Sequence, residues 1–187
     1  LLSSNTPNYS EMLIASLNTC TSEEQLHKVL RQFRLVQMVH IAVGDFLLNI
    51  SLDESLKRLS ALADSLILSA NHWLTRFCQE KWGIPVNAEG EEQSLLVYGM
   101  GKLGGQELNF SSDIDLIFVF PESGETQGVR RSIDNQVFFT RLGQKLITAL
   151  HQKTADGFVY RVDMRLRPFG ERGPLVLSFN AMENYYQ

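Results

Sequence analysis

Very little chain separates the first two predicted strands of this sequence. Residues 94–99 form an apolar run typical of a buried strand, and a second strand over Ile114–Phe120 is closed by Pro121. Only about eight residues lie between Gly104 and Asp113. A crossover that brings the next strand back parallel to the first needs roughly a dozen or more residues, usually including a helix. The interval therefore argues against a doubly wound nucleotide-binding fold.

The segment between these strands matches two nucleotide-binding patterns only in part. Residues 99–104 have the spacing of a dinucleotide-binding loop, and Glu122 follows the next strand where a ribose-binding acid is expected. The short interval makes that match a decoy. A Walker A loop is excluded because Leu96 stands at its first glycine position, and Leu103 follows Lys102 where Ser or Thr would hold magnesium.

Two interpretations of Gly104 and Gly105 stay open. They form a turn that only reverses the chain, or they let backbone amides approach a phosphate at the start of a short helix. Lys102 would add positive charge to a phosphate site, although a solvated surface lysine is as good an interpretation.

Residues 1–86 are predicted to form an all-helical segment. Thr21–Glu24 and Ser51–Glu54 match the capping box, and the first would open a helix that runs to about Asn49. Behind the second, Gly83 marks the helix end. Apolar residues between these signals alternate in steps of three and four, which predicts one buried stripe: Leu56, Leu59, Ala63, Leu66, Ala70, Trp73 and Phe77.

Residues 87–187 are predicted to form a second unit that contains strands. It opens with a polar linker over residues 87–93, and residues 122–131 form a polar loop. An amphipathic helix follows over residues 134–152, and a third strand over residues 158–166. The inner side of that helix is predicted to carry Val137, Phe138, Leu142, Leu146 and Leu150.

The last residues resemble the beginning of a further helix. Asn180 and Glu183 match a helix start, but Gln187 follows almost at once. We therefore expect the chain to be a fragment of a longer protein.

Three aspartates are the candidate catalytic and metal-binding residues. Strand alternation places Asp113 and Asp115 on one face, where their like charges repel unless a cation or a basic group offsets them. Asp163 belongs to the third predicted strand, with a salt bridge to Arg161 or Arg165 as the structural alternative. That strand divides into a polar face (Arg161, Asp163, Arg165 and Arg167) and an apolar face (Tyr160, Val162, Met164 and Leu166).

Three carboxylates on two neighbouring strands suit magnesium. The ion prefers hard oxygen ligands and keeps waters and substrate phosphates in its shell. Two such ions stabilise the attacking and leaving oxygens of an in-line phosphoryl displacement. We therefore expect a site for Mg²⁺, with two ions, that handles a nucleotide phosphate.

Composition excludes several classes of protein. A formal net charge of −4 gives no overall attraction to nucleic acid or to a membrane surface. The two cysteines have no zinc-site spacing and are expected to be free thiols, and the four histidines are scattered and expected to be structural or solvent-facing. No secretory signal or membrane-spanning run is visible, so we expect a cytoplasmic protein.

Two segments together resemble a known family. Residues 98–118 contain Gly-Gly followed by Ser-Asp-Ile-Asp-Leu, and residues 156–170 contain Tyr-Arg-Val-Asp-Met-Arg-Leu-Arg-Pro-Phe-Gly. The pattern is similar to the nucleotidyltransferase superfamily with the DNA polymerase β type of palm, and more closely to the glutamine synthetase adenylyltransferase family. The resemblance implies an α+β fold, a small mixed sheet with helices, preceded by the all-helical segment.

The resemblance also implies a reaction. Family enzymes carry two related nucleotidyltransferase domains, one adding AMP to a tyrosine of glutamine synthetase and one removing it by phosphorolysis to give ADP. The segment 160–175 is more similar to the N-terminal, adenylyl-removing domain. By the same resemblance, Asp113, Asp115 and Asp163 would bind the metals, and Gly104, Gly105 and Ser112 would lie against phosphate. Lys102, Arg165 or Arg167 would hold the incoming phosphate.

Other functions stay open at this point. One alternative is the AMP-adding domain of the same family, and another is a non-catalytic module that binds nucleotide or docks a signalling protein. A nucleotidyltransferase acting on RNA is disfavoured by the negative net charge. Expected partners are glutamine synthetase, the PII signal protein, nucleotide and inorganic phosphate.

Overall fold

A computed structural model of the chain describes residues 7–48 and 50–187. The predicted α+β class is confirmed: a helical segment precedes a small mixed sheet. The elements in chain order are α1 (Tyr9–Leu17), α2 (Glu23–Leu48), α3 (Leu52–Trp82), β1 (Ile84–Val86), β2 (Leu96–Met100), α4 (Gly101–Gly104), β3 (Ile114–Phe120), β4 (Glu125–Gln127), α5 (Asn135–His151), β5 (Val162–Asp163), a 3₁₀ turn (Gly170–Arg172), β6 (Val176–Ser178) and α6 (Phe179–Tyr186).

Local capping sets the ends of the long helices. Ser51 caps α3 by accepting a hydrogen bond from the Glu54 N–H at 3.3 Å, as predicted. Gly83 ends the helix at φ +86°, where a Cβ would lie 2.4 Å from the Gln127 carbonyl oxygen. Only glycine fits there, because both the backbone angle and the contact exclude a side chain.

The predicted cap of α2 is displaced by one residue. Ser22, not Thr21, accepts from a helical amide, that of Gln25, at 3.3 Å. The Thr21 N–H instead donates to the Gln25 side-chain oxygen at 2.7 Å. Both Ser and Thr suit this role, so sequence alone did not choose between the neighbouring hydroxyls. The predicted end of α2 at Asn49 lies outside the described residues.

The α3 stripe packs against the rest of the fold. Leu59, Ala63, Leu66 and Ala70 are buried, whereas Leu56, Trp73 and Phe77 are half-buried. Helices and sheet contribute to one hydrophobic cluster, which contains residues of α1, α2, α3, β3 and α5. The division at residue 86 stays a prediction.

The sheet is built around β3. Its neighbour β2 is antiparallel, with Met100 opposite Asp115, so the glycine-rich segment is a reversal and not a parallel crossover. β5 and β6 pair with β3 in parallel, at Ile114–Asp115 and at Phe118–Phe120 respectively. The predicted bounds of β3 are confirmed. The run is apolar because this central strand is covered on both faces.

Two strand predictions were wrong in detail. β2 was expected to be buried, but Leu96, Tyr98 and Met100 are 36%, 45% and 38% exposed because one face of this strand is open to solvent. The third strand was expected over residues 158–166 and is only Val162–Asp163.

Hydrogen bonds at both ends keep β5 short. Before it, the N–H groups of Val159 and Tyr160 both donate to the Leu150 carbonyl. After it, the Arg165 N–H donates to the Asp163 carboxylate at 2.8 Å and turns the chain. Leu166 is therefore 52% exposed and does not join an apolar strand face.

The predicted linker and polar loop are both ordered. β1 pairs antiparallel with β4, so residues 84–86 and 125–127 form a small second sheet. Within the linker, Asn87 is buried, and its side-chain oxygen accepts from the Glu91 N–H at 2.8 Å while its amide donates to Glu122 at 3.2 Å. These three-residue strands have no apolar alternation, so their distant partner determines them.

α5 follows its prediction closely. Asp134 caps it by accepting from the Gln136 N–H at 2.6 Å, and four of its five predicted inner residues are buried. The prediction that Val137 lies on the inner side was wrong, because its side chain is 40% exposed. The final helix is also capped earlier than expected, at Ser178, whose hydroxyl accepts from the Ala181 N–H.

Both cysteines are free, as expected: Cys78 is buried and Cys20 is half-buried. Within residues 7–48 and 50–187, no helix is long and apolar enough to cross a membrane.

Candidate functional site

The candidate carboxylates meet where β3 and β5 lie side by side. Asp115 on β3 is the register partner of Asp163 on β5, and Asp113 directly precedes β3. Neighbouring strands lie about 4.7–4.9 Å apart, so these two backbones are as close as two strands allow. The predicted grouping of Asp115 with Asp163 on adjacent strands is present in the fold.

Asp113 forms an ion pair with Arg161. Its Oδ1 lies 2.5 Å from the Arg161 Nε, and the same guanidinium donates to the Ser111 carbonyl at 3.2 Å. Both side chains are about half exposed, at 49% and 59%. Exposed ion pairs contribute little to stability, so this pair is able to open when another charge arrives.

Asp163 is held by Arg165. The guanidinium contacts both carboxylate oxygens, at distances of 2.5–3.0 Å, and the Arg165 N–H adds a bond at 2.8 Å. These hydrogen bonds hold the pKa of Asp163 below its usual range. The salt bridge that was the structural alternative for Asp163 is thus formed with Arg165, whereas Arg161 pairs with Asp113.

Asp115 has the opposite electrostatic environment. Burial raises the pKa of its carboxyl group, and the negative charges of Asp163 and Asp113 raise it further. Its Oδ2 faces Gly101, which has φ +54° and where a Cβ would lie only 2.8 Å from that oxygen. The absence of a side chain at Gly101 therefore leaves room beside the carboxylate.

An open cleft of about 360 Å³ adjoins the aspartates. Its lining combines acidic and basic groups: Asp113, His151, Arg161, Val162, Asp163, Met164, Arg165, Arg167 and Glu171. The Val162 N–H donates to His151 Nδ1 at 3.0 Å, which fixes the orientation of the ring at the edge of the cleft. The cleft therefore combines arginines, which suit an anion, with carboxylates, which suit a cation.

Arg167 braces the loop that borders this cleft. Its guanidinium donates to the carbonyls of Met164 at 2.7 Å and Glu171 at 3.2 Å. Its Nε is buried and has no partner within the described residues. Both carbonyls belong to this loop, so these two hydrogen bonds of the Arg167 guanidinium stabilise the loop.

Of the two interpretations of the glycine pair, the chain-reversing turn is present, and the placement at the start of a short helix is wrong. Gly104 is the last residue of α4 and Gly105 is its C-cap, so both sit at the end of the short helix and not at its start. The Gly105 N–H donates to the Gly101 carbonyl at 3.0 Å, and a Cβ on Gly104 would lie 2.5 Å from the Gly99 carbonyl oxygen. Their observed role is to close a tight reversal between β2 and β3.

Two further predicted phosphate ligands lie in the same reversal. Ser112 donates to the Asn109 side-chain oxygen at 2.8 Å, which organises the turn before Asp113. Lys102 is exposed, and its carbonyl accepts from the Glu107 N–H at 2.8 Å. Neither belongs to the lining of the arginine cleft.

The donor set suits a divalent cation after a small rearrangement. Among residues 7–48 and 50–187, no group of three or more His, Cys, Asp or Glu side chains is already arranged to hold a metal ion. However, Asp115 and Asp163 are register partners on neighbouring strands and Asp113 directly precedes β3, so three carboxylates of the type that Mg²⁺ prefers lie on adjacent segments. Binding would require Asp113 and Asp163 to exchange their arginines for the cation.

Comparison with known proteins identifies the family of this chain. The profile described as glutamate-ammonia ligase adenylyltransferase matches residues 3–187. The chain belongs to that family. The resemblance inferred from residues 98–118 and 156–170 is therefore confirmed at the level of the family.

Curated relatives of this adenylyltransferase family are closely similar. One from Vibrio parahaemolyticus is 61% identical over 179 residues, which cover 96% of this chain and 19% of the relative. One from Shewanella woodyi is 60% identical over 171 residues, 91% of this chain and 18% of the relative. Both are named bifunctional glutamine synthetase adenylyltransferase/adenylyl-removing enzyme. The chain thus spans about a fifth of the length of the curated relatives it matches.

Sequence reasoning missed part of the site in this family member. Glu171 and His151 line the cleft, and neither belongs to the strand pattern that singled out Asp163. His151 is the last residue of α5, so its closeness to Val162 arises from the α5–β5 connection. The only available signal was that the predicted helix and strand are joined by a short segment.

Proposed function

We propose that this chain is a metal-dependent nucleotidyltransferase unit that removes AMP from the adenylylated tyrosine of glutamine synthetase. The reaction is phosphorolysis, with inorganic phosphate as acceptor and ADP as product. The name that the curated relatives share suggests this substrate. The PII signal protein is proposed as a partner of the longer protein on the family resemblance alone.

The observation that carries this proposal is the pairing of Asp115 with Asp163 beside an arginine-lined cleft. Carboxylates at the strand ends suit cations, and the cleft next to them presents Arg161 and Arg165 to an anion. Reaction of two phosphate-bearing substrates needs both kinds of charge in one place. This chain has them within a few residues of each other.

Mg²⁺ fits the acidic part of the site. Asp113, Asp115 and Asp163 would hold it through hard oxygen ligands, and its positive charge would offset both the burial and the carboxylate repulsion that raise the pKa of Asp115. When bound, the ions supply charge neutralisation at the phosphoryl oxygens.

The arginines would bind the incoming phosphate. Arg161 and Arg165 are 59% and 73% exposed in their ion pairs, so each reaches solvent and is able to exchange a carboxylate for a phosphate. A phosphate oxygen then forms a bond to the AMP phosphorus. The bond to the tyrosine oxygen breaks, and that oxygen leaves with the electron pair and takes up a proton. Positioning and charge do the catalytic work, without a protein nucleophile.

The test uses the 187-residue chain with adenylylated glutamine synthetase, phosphate and Mg²⁺, assayed for ADP. Asp113→Asn and Asp163→Asn should each lower the rate by at least roughly 100-fold, because catalytic charge stabilisation of this kind is lost. Asp53→Asn, an exposed aspartate in the first turn of α3, is the matched control and should keep full activity. Full activity in either site variant, with circular dichroism unchanged, would contradict the proposal.

A second candidate is addition of AMP, because the relatives' name records both activities. It is distinguished by incubating unmodified glutamine synthetase with ATP and measuring pyrophosphate and labelled product. Pyrophosphate without any ADP-forming activity would assign the chain to the adding reaction. Magnesium-dependent nucleotide binding with turnover in neither direction would indicate a binding module.

A further inference from the structure

An exposed aromatic cluster includes Phe169, which belongs to the same loop as the cleft residues Arg167 and Glu171. Phe169 packs edge-on against Tyr185 with ring centroids 4.6 Å apart, and Tyr185 contacts Tyr186 at 4.9 Å. The three side chains remain 59%, 42% and 64% exposed. We infer that Phe169 and Tyr185 form a stacking surface for the base of an adenine nucleotide whose phosphates lie in the cleft.

The loop that carries Phe169 is continuous with the cleft. Phe169 stands between Arg167 and Glu171, which both line the cleft and are joined by a hydrogen bond of 3.2 Å. The Gly170 N–H donates to the Arg167 carbonyl at 2.8 Å, so Phe169 lies within a tight turn of the backbone. A nucleotide has its phosphates and base in one molecule, so a loop that carries arginines of the cleft together with an exposed aromatic ring matches its chemistry.

The backbone holds Phe169 in an unusual conformation. Its φ is +62°, in the left-handed region that a large side chain rarely adopts. Gly173 packs against this residue: a Cβ there would lie 2.9 Å from Phe169 Cβ and 2.4 Å from the Pro168 carbonyl oxygen. Strained residues persist where surrounding structure imposes them, often at ligand-binding positions. Here the strain directs a large apolar ring into solvent.

A protein surface is a weaker fit for this cluster than a base. Aromatic stacking on a base is tolerant of base identity and is found next to cationic groups that hold phosphate. The neighbouring side chains Arg165 and Arg167 are cations of this kind. The cluster would therefore add affinity for nucleotides without distinguishing adenine from guanine.

The inference rests on the proposed function and is tested by binding to the 187-residue chain with Mg²⁺ present. AMP and ribose 5-phosphate share a phosphate and a ribose and differ in the base. Wild-type protein should bind AMP roughly tenfold more tightly than ribose 5-phosphate by calorimetry, which is the range that stacking provides. Phe169→Asn should abolish that preference, because asparagine accepts the left-handed backbone but has no ring. Tyr185→Leu should reduce it.

Phe179→Ala is the matched control, since Phe179 is also exposed and lies on the same helix as Tyr185. The Phe179→Ala variant should retain the preference for AMP. In Phe169→Asn, the affinity for GMP should fall by the same factor as the affinity for AMP. An unchanged AMP preference in both ring variants, an equal loss in Phe179→Ala, or no AMP preference in wild type would overturn the inference.

Failure of the stacking surface and failure of the proposed reaction are distinguishable. If Phe169→Asn leaves AMP binding unchanged while Asp113→Asn abolishes ADP formation, the reaction stands and the aromatic surface is overturned. If no ADP forms but the AMP preference depends on Phe169, the nucleotide subsite stands without the reaction.

Discussion

Asp115 on β3 lies directly opposite Asp163 on β5, and only one of the two has an arginine bound to it. Arg165 contacts both oxygens of Asp163, whereas Asp115 is half-buried with its pKa raised by burial and by both neighbouring carboxylates. Two like charges face each other across a strand pair and a single cation balances them in part. Because of this imbalance, we expect that neutralising Asp115 and neutralising Asp163 change the stability of the fold in opposite directions.

We predict that Asp115→Asn stabilises the fold at neutral pH. A raised pKa means that the folded state favours the protonated acid, so its stabilising contribution is present at low pH and is lost as the pH rises through the folded pKa. Removing the charge should gain about 0.2–1 kcal/mol, the range for cross-strand pairs. In a chain of this length the melting temperature should rise by about 1–3 °C. The same variant should lose the proposed activity, and thermal unfolding without metal measures the gain.

Asp163→Asn should have the opposite sign. The lowered pKa of Asp163 contributes stability above its ordinary pKa, and this stability is lost as the pH falls through the folded value. Because Arg165 is 73% exposed, the loss should be at most about 1 kcal/mol. Parallel melts of both variants over an acidic to neutral pH series decide the matter. Shifts of the same sign would show that the two carboxylates do not differ as described.

Gly101→Ala should disrupt the site itself. Alanine at φ +54° costs about 1–2 kcal/mol for the left-handed backbone, and its Cβ would stand 2.8 Å from the Asp115 Oδ2. Gly128→Ala is the control: its φ is +84°, but nothing lies within 4 Å of the added Cβ. Both variants should therefore be destabilised to a similar extent, while only Gly101→Ala should lose ADP formation. Equal activities would mean that Asp115 moves away without consequence.

Arg31→Met should be strongly destabilising. Arg31 is 2% exposed and donates from all three guanidinium nitrogens to carbonyls of four residues: His27, Ala149, Gln152 and Gly157. Loss of a buried charged donor leaves these acceptors unsatisfied and costs about 3–5 kcal/mol. The melting temperature should fall by roughly 6–15 °C. Lys28→Met, an exposed change on the same helix, should leave it nearly unchanged.

The two thiols should differ in reactivity. Burial raises the pKa of Cys78 to about 12, and the side chain is fully buried, so the reactive thiolate is both rare and inaccessible. Cys20 is half-buried, and its pKa is raised by burial as well. An aromatic disulfide reagent at mildly alkaline pH should label one thiol slowly in the native chain and both in denaturant. Native Cys20→Ser should not react, and fast labelling of that variant would refute the burial of Cys78.

Long elements with local signals were predictable. β3 was predicted to its observed ends because its apolar residues are all covered and Pro121 closes the run. The cap of α3 at Ser51 was also predicted, and the predicted start of α5 at residue 134 lies one residue before the observed start, because both Ser51 and Asp134 bond to amides within three residues. Short strands could not be predicted. β1 has only three residues, and it depends on pairing with β4, which lies about 40 residues further along the chain.

The three candidate carboxylates could be identified from the sequence, but the contacts that they make in the fold could not. Asp113, Asp115 and Asp163 were identified from spacing and resemblance, and β3–β5 pairing brings two of them opposite each other. The position of Gly104 and Gly105 was wrong because a four-residue helix begins before them. A one-turn helix has no periodicity by which its start can be read.

The amino-acid sequence by itself determined the residue types of the site, the reversal between β2 and β3, and the family. Each depends on a few neighbouring residues: a short interval, a cap or a motif. Tertiary structure alone decided that Arg161 pairs with Asp113 and Arg165 with Asp163, and that Phe169 packs against Tyr185 of α6. Charge pairing depends on strand register and side-chain reach, and these are set when segments distant in the sequence pack together.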